Sequence, residues 1–264
     1  RMSSFTSGTG TGRARWGARG GARRGAHGGA RRGPHGGVRY GALALGLLGL
    51  SGIASTARAQ PVTELDAGRF EIRSAGRRLA TESFAIRREG NVVKAVGRIV
   101  PAGGSGIFPF DVRLQTNRAF RPTTYGLRAR SGPVEGVDGV WNGDRLRLHV
   151  ASSEGERWKE FLTPGPVAVL ERGVAHHYYL LFRQLPPDPS GARLTVIVPS
   201  GNEQATATVT GGAEETVELG GERIVARRYE LRMGERRRVV WLDRNGRVLR
   251  VAFPAENRVA VRLP

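Results

Sequence analysis

Hydrophobic and polar residues alternate along most of the chain beyond residue 60. Arg145-Leu146-Arg147-Leu148-His149-Val150 puts two leucines and a valine on one face and basic groups on the other. Arg258-Val259-Ala260-Val261-Arg262-Leu263 repeats the pattern. Successive strand side chains point to opposite faces, so this alternation predicts one buried and one wet face, as in antiparallel sheets. Asn142-Gly143 separates GVDGVW from DRLRLHV, and Asn245-Gly246 separates RRVVWLD from RVLRVAF. Type I′ turns need positive φ at both central residues, and Asn-Gly meets that demand, so each pair predicts a two-residue hairpin. Glu89-Gly90-Asn91 predicts a third. Further strands are predicted near 69–74, 109–115, 121–130, 166–171, 193–198, 205–210, 214–219 and 222–232. Such spacing, with turns between, indicates an all-β sandwich or barrel.

The exception is VAHHYYLLFRQL, Val174 to Leu185. Val174, Tyr178, Leu181 and Leu185 fall at helical spacing. LPPDPSG (185–191) ends the helix, because proline lacks a donor and restricts the residue before it. The expected fold class is all-β and mainly antiparallel: a curved sheet or incomplete barrel with one short helix. That helix either fills the core or plugs an open mouth. Pro186-Pro187 reads as a kinked connection within one sheet.

Ahead of the β region, Val38–Gln60 holds an uncharged run from Gly41 to Ala54, 14 residues long. That is too short for a spanning helix and suits the apolar part of a signal peptide. Arg39 supplies the positive flank, and Ala57-Arg58-Ala59 fits signal peptidase, with cleavage before Gln60. A cleaved signal over 38–59 is preferred to an uncleaved anchor or a core helix, since four glycines in the run weaken a helix. Residues 1–37 contain 12 Gly and 8 Arg with no acid, and GARRGAHG is followed by GARRGPHG. Nothing there can build a core. The segment is read as a disordered leader that is not part of the working protein, with Val38 as an alternative start. The rival reading is an Arg/Gly-rich RNA-binding tail.

Residues 60–264 then form one antiparallel β domain. Ten arginines and no acid lie before Gln60, so the balance of +19 falls to +9 for this domain. Arginine far outnumbers lysine, which is represented only by Lys94 and Lys159, and the excess reads as GC-rich coding and a solvated surface rather than phosphate recognition. The chain has no cysteine, which excludes disulfides, thiol catalysis and an N-terminal lipid. No second apolar run is long enough to span a bilayer as a helix. The expected location is periplasmic or secreted, with no nucleic-acid partner and no transmembrane segment after signal cleavage.

Candidate chemistry is sparse. His176 and His177 are adjacent and diverge on a helix, so they do not form an i, i+4 metal pair, and His149 stands apart. Gly103-Gly104-Ser105-Gly106 lacks the nucleophile-elbow pattern, and no phosphate-cradling glycine loop occurs in 60–264. The paired carboxylates Glu154 and Glu156, or Glu214 and Glu215, sit beside glycines in apparent turns, where acidic groups are ordinarily just solvated. No catalytic residue, metal or cofactor is assigned. Trp141, Trp158 and Trp241 lie near hairpin turns; Trp241, with β-branched neighbours, reads as core. Phe108 and Phe110 are candidate rim residues. Tyr178, Leu181, Phe182 and Trp158 are the candidate ligand-lining set.

FEIRSAGRRLATESFAIRREGNVVKAVGRI (70–99) and VVWLDRNGRVLRVAFPAENRVAVR (239–262) resemble the opening and closing hairpins of an uncharacterised family of exported bacterial β proteins. That family is similar in pattern to the lipoprotein-carrier half-barrels of the cell envelope. The resemblance covers most of residues 65–264 and rests on turn glycines and a Trp-x-Asp-x-x-Gly hairpin, here Trp241, Asp243 and Gly246. Ala80 departs from it, where the family often has a second glycine after Gly76. It implies a curved sheet with an apolar concave face and no catalytic residues. The expected function is therefore a non-catalytic exported binding or carrier protein for an apolar ligand such as an acyl chain. The alternatives are an envelope scaffold that binds a protein partner, and a glycan-active hydrolase.

Overall fold

The computed structural model describes residues 61–264. The leader, the signal segment and the cleavage residues Ala57, Ala59 and Gln60 lie outside the described residues. The described chain forms β1 (Val62–Ser74), β2 (Arg77–Glu89), β3 (Val92–Pro101), β4 (Phe110–Asn117), β5 (Pro122–Ala129), β6 (Val134–Asn142), β7 (Arg145–Ser152), β8 (Gly155–Leu162) and β9 (Val167–Val169). Helix α1 (His177–Gln184) follows, then β10 (Arg193–Val198), β11 (Glu203–Leu219), β12 (Glu222–Met233), β13 (Arg236–Leu242), β14 (Val248–Phe253) and β15 (Arg258–Arg262). All fifteen strands join one sheet in the order β8-β7-β6-β5-β4-β3-β2-β1-β15-β14-β13-β12-β11-β10-β9. The sheet is thus two meanders joined where the first strand pairs with the last. Every pairing is antiparallel except β9 with β10. A parallel pair needs a crossover, and α1 lies within it.

The sheet is open in its pairing but strongly curled. Phe84 on β2 stacks on His176, and Tyr125 on β5 meets His177. Tyr229 on β12 touches Phe182, and Phe253 on β14 touches Tyr178. Strands from both meanders therefore surround one short helix. The two ends of the sheet also approach each other: Gln204 at the start of β11 donates to the Leu162 carbonyl of β8, at 2.9 Å. Lys159 donates to the Asn202 carbonyl, at 3.3 Å.

This enclosure changes the expected helix. It begins at His177 rather than Val174, and its first six residues are buried on every side. An amphipathic stripe suits a helix lying on a surface; one wrapped by a sheet keeps little wet face. One continuous apolar cluster joins the concave face to α1. Among the described residues, no helix is long and apolar enough to cross a membrane.

The hairpins form where predicted, with altered turns. Asn142 pairs with Arg145, so the central residues are Gly143 and Asp144, and only Gly143 has positive φ, at 59°. Glu89 pairs with Val92 around Gly90 and Asn91 in the same way. Positive φ at the first central residue alone is the type II′ pattern. The Asn245-Gly246 connection is not a two-residue turn. Leu242 pairs with Val248, leaving a five-residue loop. Asp243 organises it: its Oδ1 accepts the Asn245 and Arg247 N–H groups, each at 2.8 Å.

A second, smaller cluster lies on the outer face. The β11–β12 hairpin runs past the end of β13, bent by a bulge between Gly211 and Ala213. Gly211 has φ 104°, and a Cβ there would stand 2.7 Å from the Arg228 carbonyl oxygen, so glycine permits the bend. The hairpin's Val217, Leu219, Ile224 and Ala226 then cover Trp241 and Leu249. At its tip, a Cβ on Gly220 would lie 2.5 Å from Pro264. The predicted core role of Trp241 is met on the outer face, where Arg250 lies over its ring at 4.8 Å.

Candidate functional site

Two places hold unusual polar chemistry. The first is the entry to α1. Residues just before a helix carry amide groups without intrahelical partners. The helix cap, His176, makes no side-chain cap of its own. Glu82, from β2, supplies it across the fold: its carboxylate accepts the Ala175 N–H at 2.7 Å and the His176 N–H at 3.2 Å, and contacts His176 Nδ1. A carboxylate at this end also complements the helix dipole. Gly97 on β3 makes room for the imidazole; a Cβ there would be 2.5 Å from His176 Cε1.

Glu171 anchors the other side of the same segment. It accepts the Tyr125 hydroxyl at 2.8 Å, the Ser200 N–H at 3.1 Å, the Arg172 N–H at 2.8 Å and the Ser200 hydroxyl. Its own N–H donates to His177 Nδ1, at 3.3 Å. His177 is thus an acceptor at Nδ1 and neutral; burial pushes its pKa well below the usual histidine value, and neighbouring His176 adds to the effect. Burial likewise pushes the Tyr125 hydroxyl up, reinforced by the Glu171 charge. Glu82, Glu171, His176 and His177 are all buried. The carboxylates and both Nδ1 atoms are bonded to the chain, while the buried Nε2 atoms of His176 and His177 have no partner among the described residues, and the four residues meet no open surface, so the cluster fixes the helix start.

The second place is an open cleft of ≈ 1060 Å³ at the far end of α1. Its walls are the helix end with Phe182, Arg183 and Leu185, the proline connection, the inner face of the β11–β12 hairpin, and the 243–247 loop. The hairpin brings Arg223, Val225, Arg227 and Tyr229 to one face by strand alternation. Tyr229 meets Phe182 with ring centroids 5.2 Å apart. Val225 remains 58% exposed, large for an apolar residue in a concave wall. Arg183 is held in place by its hydrogen bond to the Tyr179 hydroxyl, at 3.1 Å, and by packing on that ring. Arg244 and Arg247 come from the loop.

The predicted lining residues divide. Tyr178 and Leu181 are core, at 2% and 0% exposure, within the apolar cluster that joins helix and sheet. Phe182 lines the cleft. Trp158 is not brought to them: it lies on edge strand β8, 65% exposed, stacked on His149 at 4.1 Å. His149 also meets Glu156 at 3.3 Å, and no group of three or more metal-ligating residues is gathered among the described residues. Phe110 packs partly against the core, whereas Phe108 is 47% exposed beside Gly132. Trp141 is partly buried against the core.

The carboxylate pairs are placed differently from expectation. Glu214 and Glu215 sit on β11, not in a turn; Glu215 meets Arg228 at 3.6 Å on one face, and Glu214 lines the cleft on the other. Glu156 lies on β8 and only Glu154 is in the turn. In the sequence the cleft arginines belong to the general arginine excess of a solvated surface. Arg223 and Arg227 share the inward phase of buried Tyr229, and that phase was the available signal.

No family model matches the chain, and no curated protein does. Among solved structures, the chain is similar to a DUF1089 family protein from Pseudomonas aeruginosa, with 15% identity and a TM-score of 0.40, over 66% of this chain and 89% of that one.

Proposed function

We propose that this is an exported, non-catalytic binding or carrier protein of the cell envelope, and that an apolar ligand such as an acyl chain lies in the cleft beside α1. The observation that carries this reading is the cleft itself. A sealed core adjoins a solvent-open trough walled by Phe182, Leu185, Val225 and Tyr229. Its volume is at the upper end of ordinary small-molecule sites, about 300–1,000 Å³. Each buried methylene would contribute about 0.8 kcal/mol, so a modest chain suffices for binding without polar chemistry. Export rests on the Val38–Gln60 signal pattern. Likeness to lipoprotein-carrier half-barrels belongs to the same proposal.

Titration with a fluorescent fatty acid tests it. Saturable binding at one site, weakened at least tenfold by Val225→Glu, supports the reading. Absence of binding, together with a ligand-free native mass spectrum of protein purified from its host, would remove it.

A second reading draws on edge strand β8. Trp158 and Leu162 are exposed there, at 65% and 59%, beside unpaired backbone groups that can add a partner's strand. It requires a co-purifying envelope protein that is lost in Trp158→Glu.

A further inference from the structure

We infer that the ligand of the cleft is a single-chain amphiphile with an anionic head, a carboxylate or a phosphate, held by the arginines around its rim. The inference rests on the cleft being the binding site and adds the chemistry of the head.

Charge in the cleft is strongly one-sided. Arg183, Arg223, Arg227, Arg244 and Arg247 line it, against Asp243 and Glu214. Asp243 is already engaged: Arg247 Nε donates to its Oδ2 at 2.7 Å, and two loop N–H groups take its Oδ1. Arg183, Arg223, Arg227 and Arg244 have no carboxylate within ion-pair distance among the described residues. Glu214 faces Arg227 across the β11–β12 ladder yet makes no ion pair with it among the described residues. On the opposite meander some exposed arginines are paired across strands, as in Arg98–Asp111 and Arg128–Asp138, while others, such as Arg113 and Arg157, stand singly among the described residues instead of gathering around one cleft. The cleft therefore concentrates unneutralised guanidinium groups where a ligand would sit.

Position matters as much as number. Arg223 and Arg227 flank Val225 on the same strand face, so charge and apolar surface alternate along one wall. Arg183 lies over Tyr179 and beside Gly246, where a Cβ would stand 3.8 Å from its Nη1. It is tethered to the helix through Tyr179 while its side chain stays exposed at the cleft rim. Guanidinium groups bind carboxylates and phosphates through paired N–H donors, and such charge-assisted bonds are the stronger ones. An uncharged apolar ligand would leave these groups without use, whereas a bare anion would leave the apolar wall uncovered.

Calorimetry on the folded protein would compare dodecanoic acid, dodecyl phosphate, dodecanol and inorganic phosphate, each below its aggregation threshold. The acid and the alkyl phosphate are expected to bind at least tenfold more tightly than the alcohol, and less tightly as salt rises. The stronger of the two names the head. In Arg223→Gln/Arg227→Gln, both positions being exposed, anion binding should fall about tenfold while the alcohol is unchanged. Equal binding of alcohol and acid, with no effect of the double variant, overturns this inference and leaves the apolar site standing. Phosphate alone binding as well as dodecyl phosphate also overturns it. Failure of every alkyl ligand, the alcohol included, removes the site itself.

Discussion

Glu82 shows how one side chain determines the start of a helix. It lies on a strand far away in sequence, is fully buried, and caps two amides while meeting His176. Breaking a buried pair leaves an uncompensated group, at a cost of about 3–5 kcal/mol. Glu82→Ala should therefore lower stability by that order in urea unfolding, whereas Glu82→Gln, which keeps one acceptor, should cost less. Equal stability of Glu82→Ala and wild type would contradict the capping role. His177 gives a pH signature. Its folded pKa is depressed by burial, so the unfolded chain takes up a proton that the folded chain refuses. The contribution is full above the unfolded value, about 6.5, and stability falls as pH drops below it, by at most about 1.4 kcal/mol per pH unit for one proton. His176, Glu171 and Tyr125 face the same ring, so the informative comparison is with His177→Asn, which retains an acceptor for the Glu171 N–H. Urea midpoints measured between about pH 7.5 and about pH 5.5 should fall less steeply in the variant, whatever its absolute stability.

At the scale of elements, turns carry testable strain. Ser74 pairs with Arg77, and both central residues are left-handed, Ala75 at φ 47° and Gly76 at 79°. A left-handed alanine costs about 1–2 kcal/mol, part of which glycine would return through chain entropy. Ala75→Gly should thus raise thermal stability by about 0.5–1 kcal/mol, read as a higher Tm; a lower Tm would show that the turn is unstrained. The same elements show what the sequence could and could not disclose. Alternation located most strands, because one wet face leaves a visible period of two, as in Arg145–Val150. Glycine located turns but not their phase: a positive φ is needed at Gly143, and the ladder rather than the Asn-Gly pair set which residues are central. Strand β8 shows almost no buried face, and short β9 is buried throughout, so neither advertises its role by periodicity. The cleft was legible only in Phe182. Glu82 and Glu171 meet their neighbours through long-range curling, which no local spacing encodes, and the period of two on β12 gives the face of Arg223 and Arg227 but not what lies opposite.

The whole molecule raises a question of cooperativity, since its two meanders meet only through β1 and β15 in the ladder. Two halves joined by one strand pair could unfold separately. Packing argues otherwise: a single apolar cluster includes Ile86 and Leu148 from one meander, Val240 and Val251 from the other, and Leu181 from the helix between them. Neither half covers its concave face without the helix and the opposite half. The joint is also reinforced. Arg262 on β15 donates to both oxygens of Asp66 on β1, at 3.0 and 2.7 Å, and to the Ala67 carbonyl at 2.7 Å. Tryptophan positions allow each half to be read alone, with Trp141 and Trp158 in the first meander and Trp241 in the second. Two variants, one keeping only Trp141 and one keeping only Trp241, should give fluorescence urea transitions that coincide with the circular dichroism transition of the same variant. Asp66→Ala added to each should shift both transitions downward together, by about 1.5–3 kcal/mol, because it strips the partly buried Arg262 of its charged partner at the joint. Separate transitions from the two halves, or a shift confined to one, would mean that the ladder rather than the enclosed helix sets the cooperative unit.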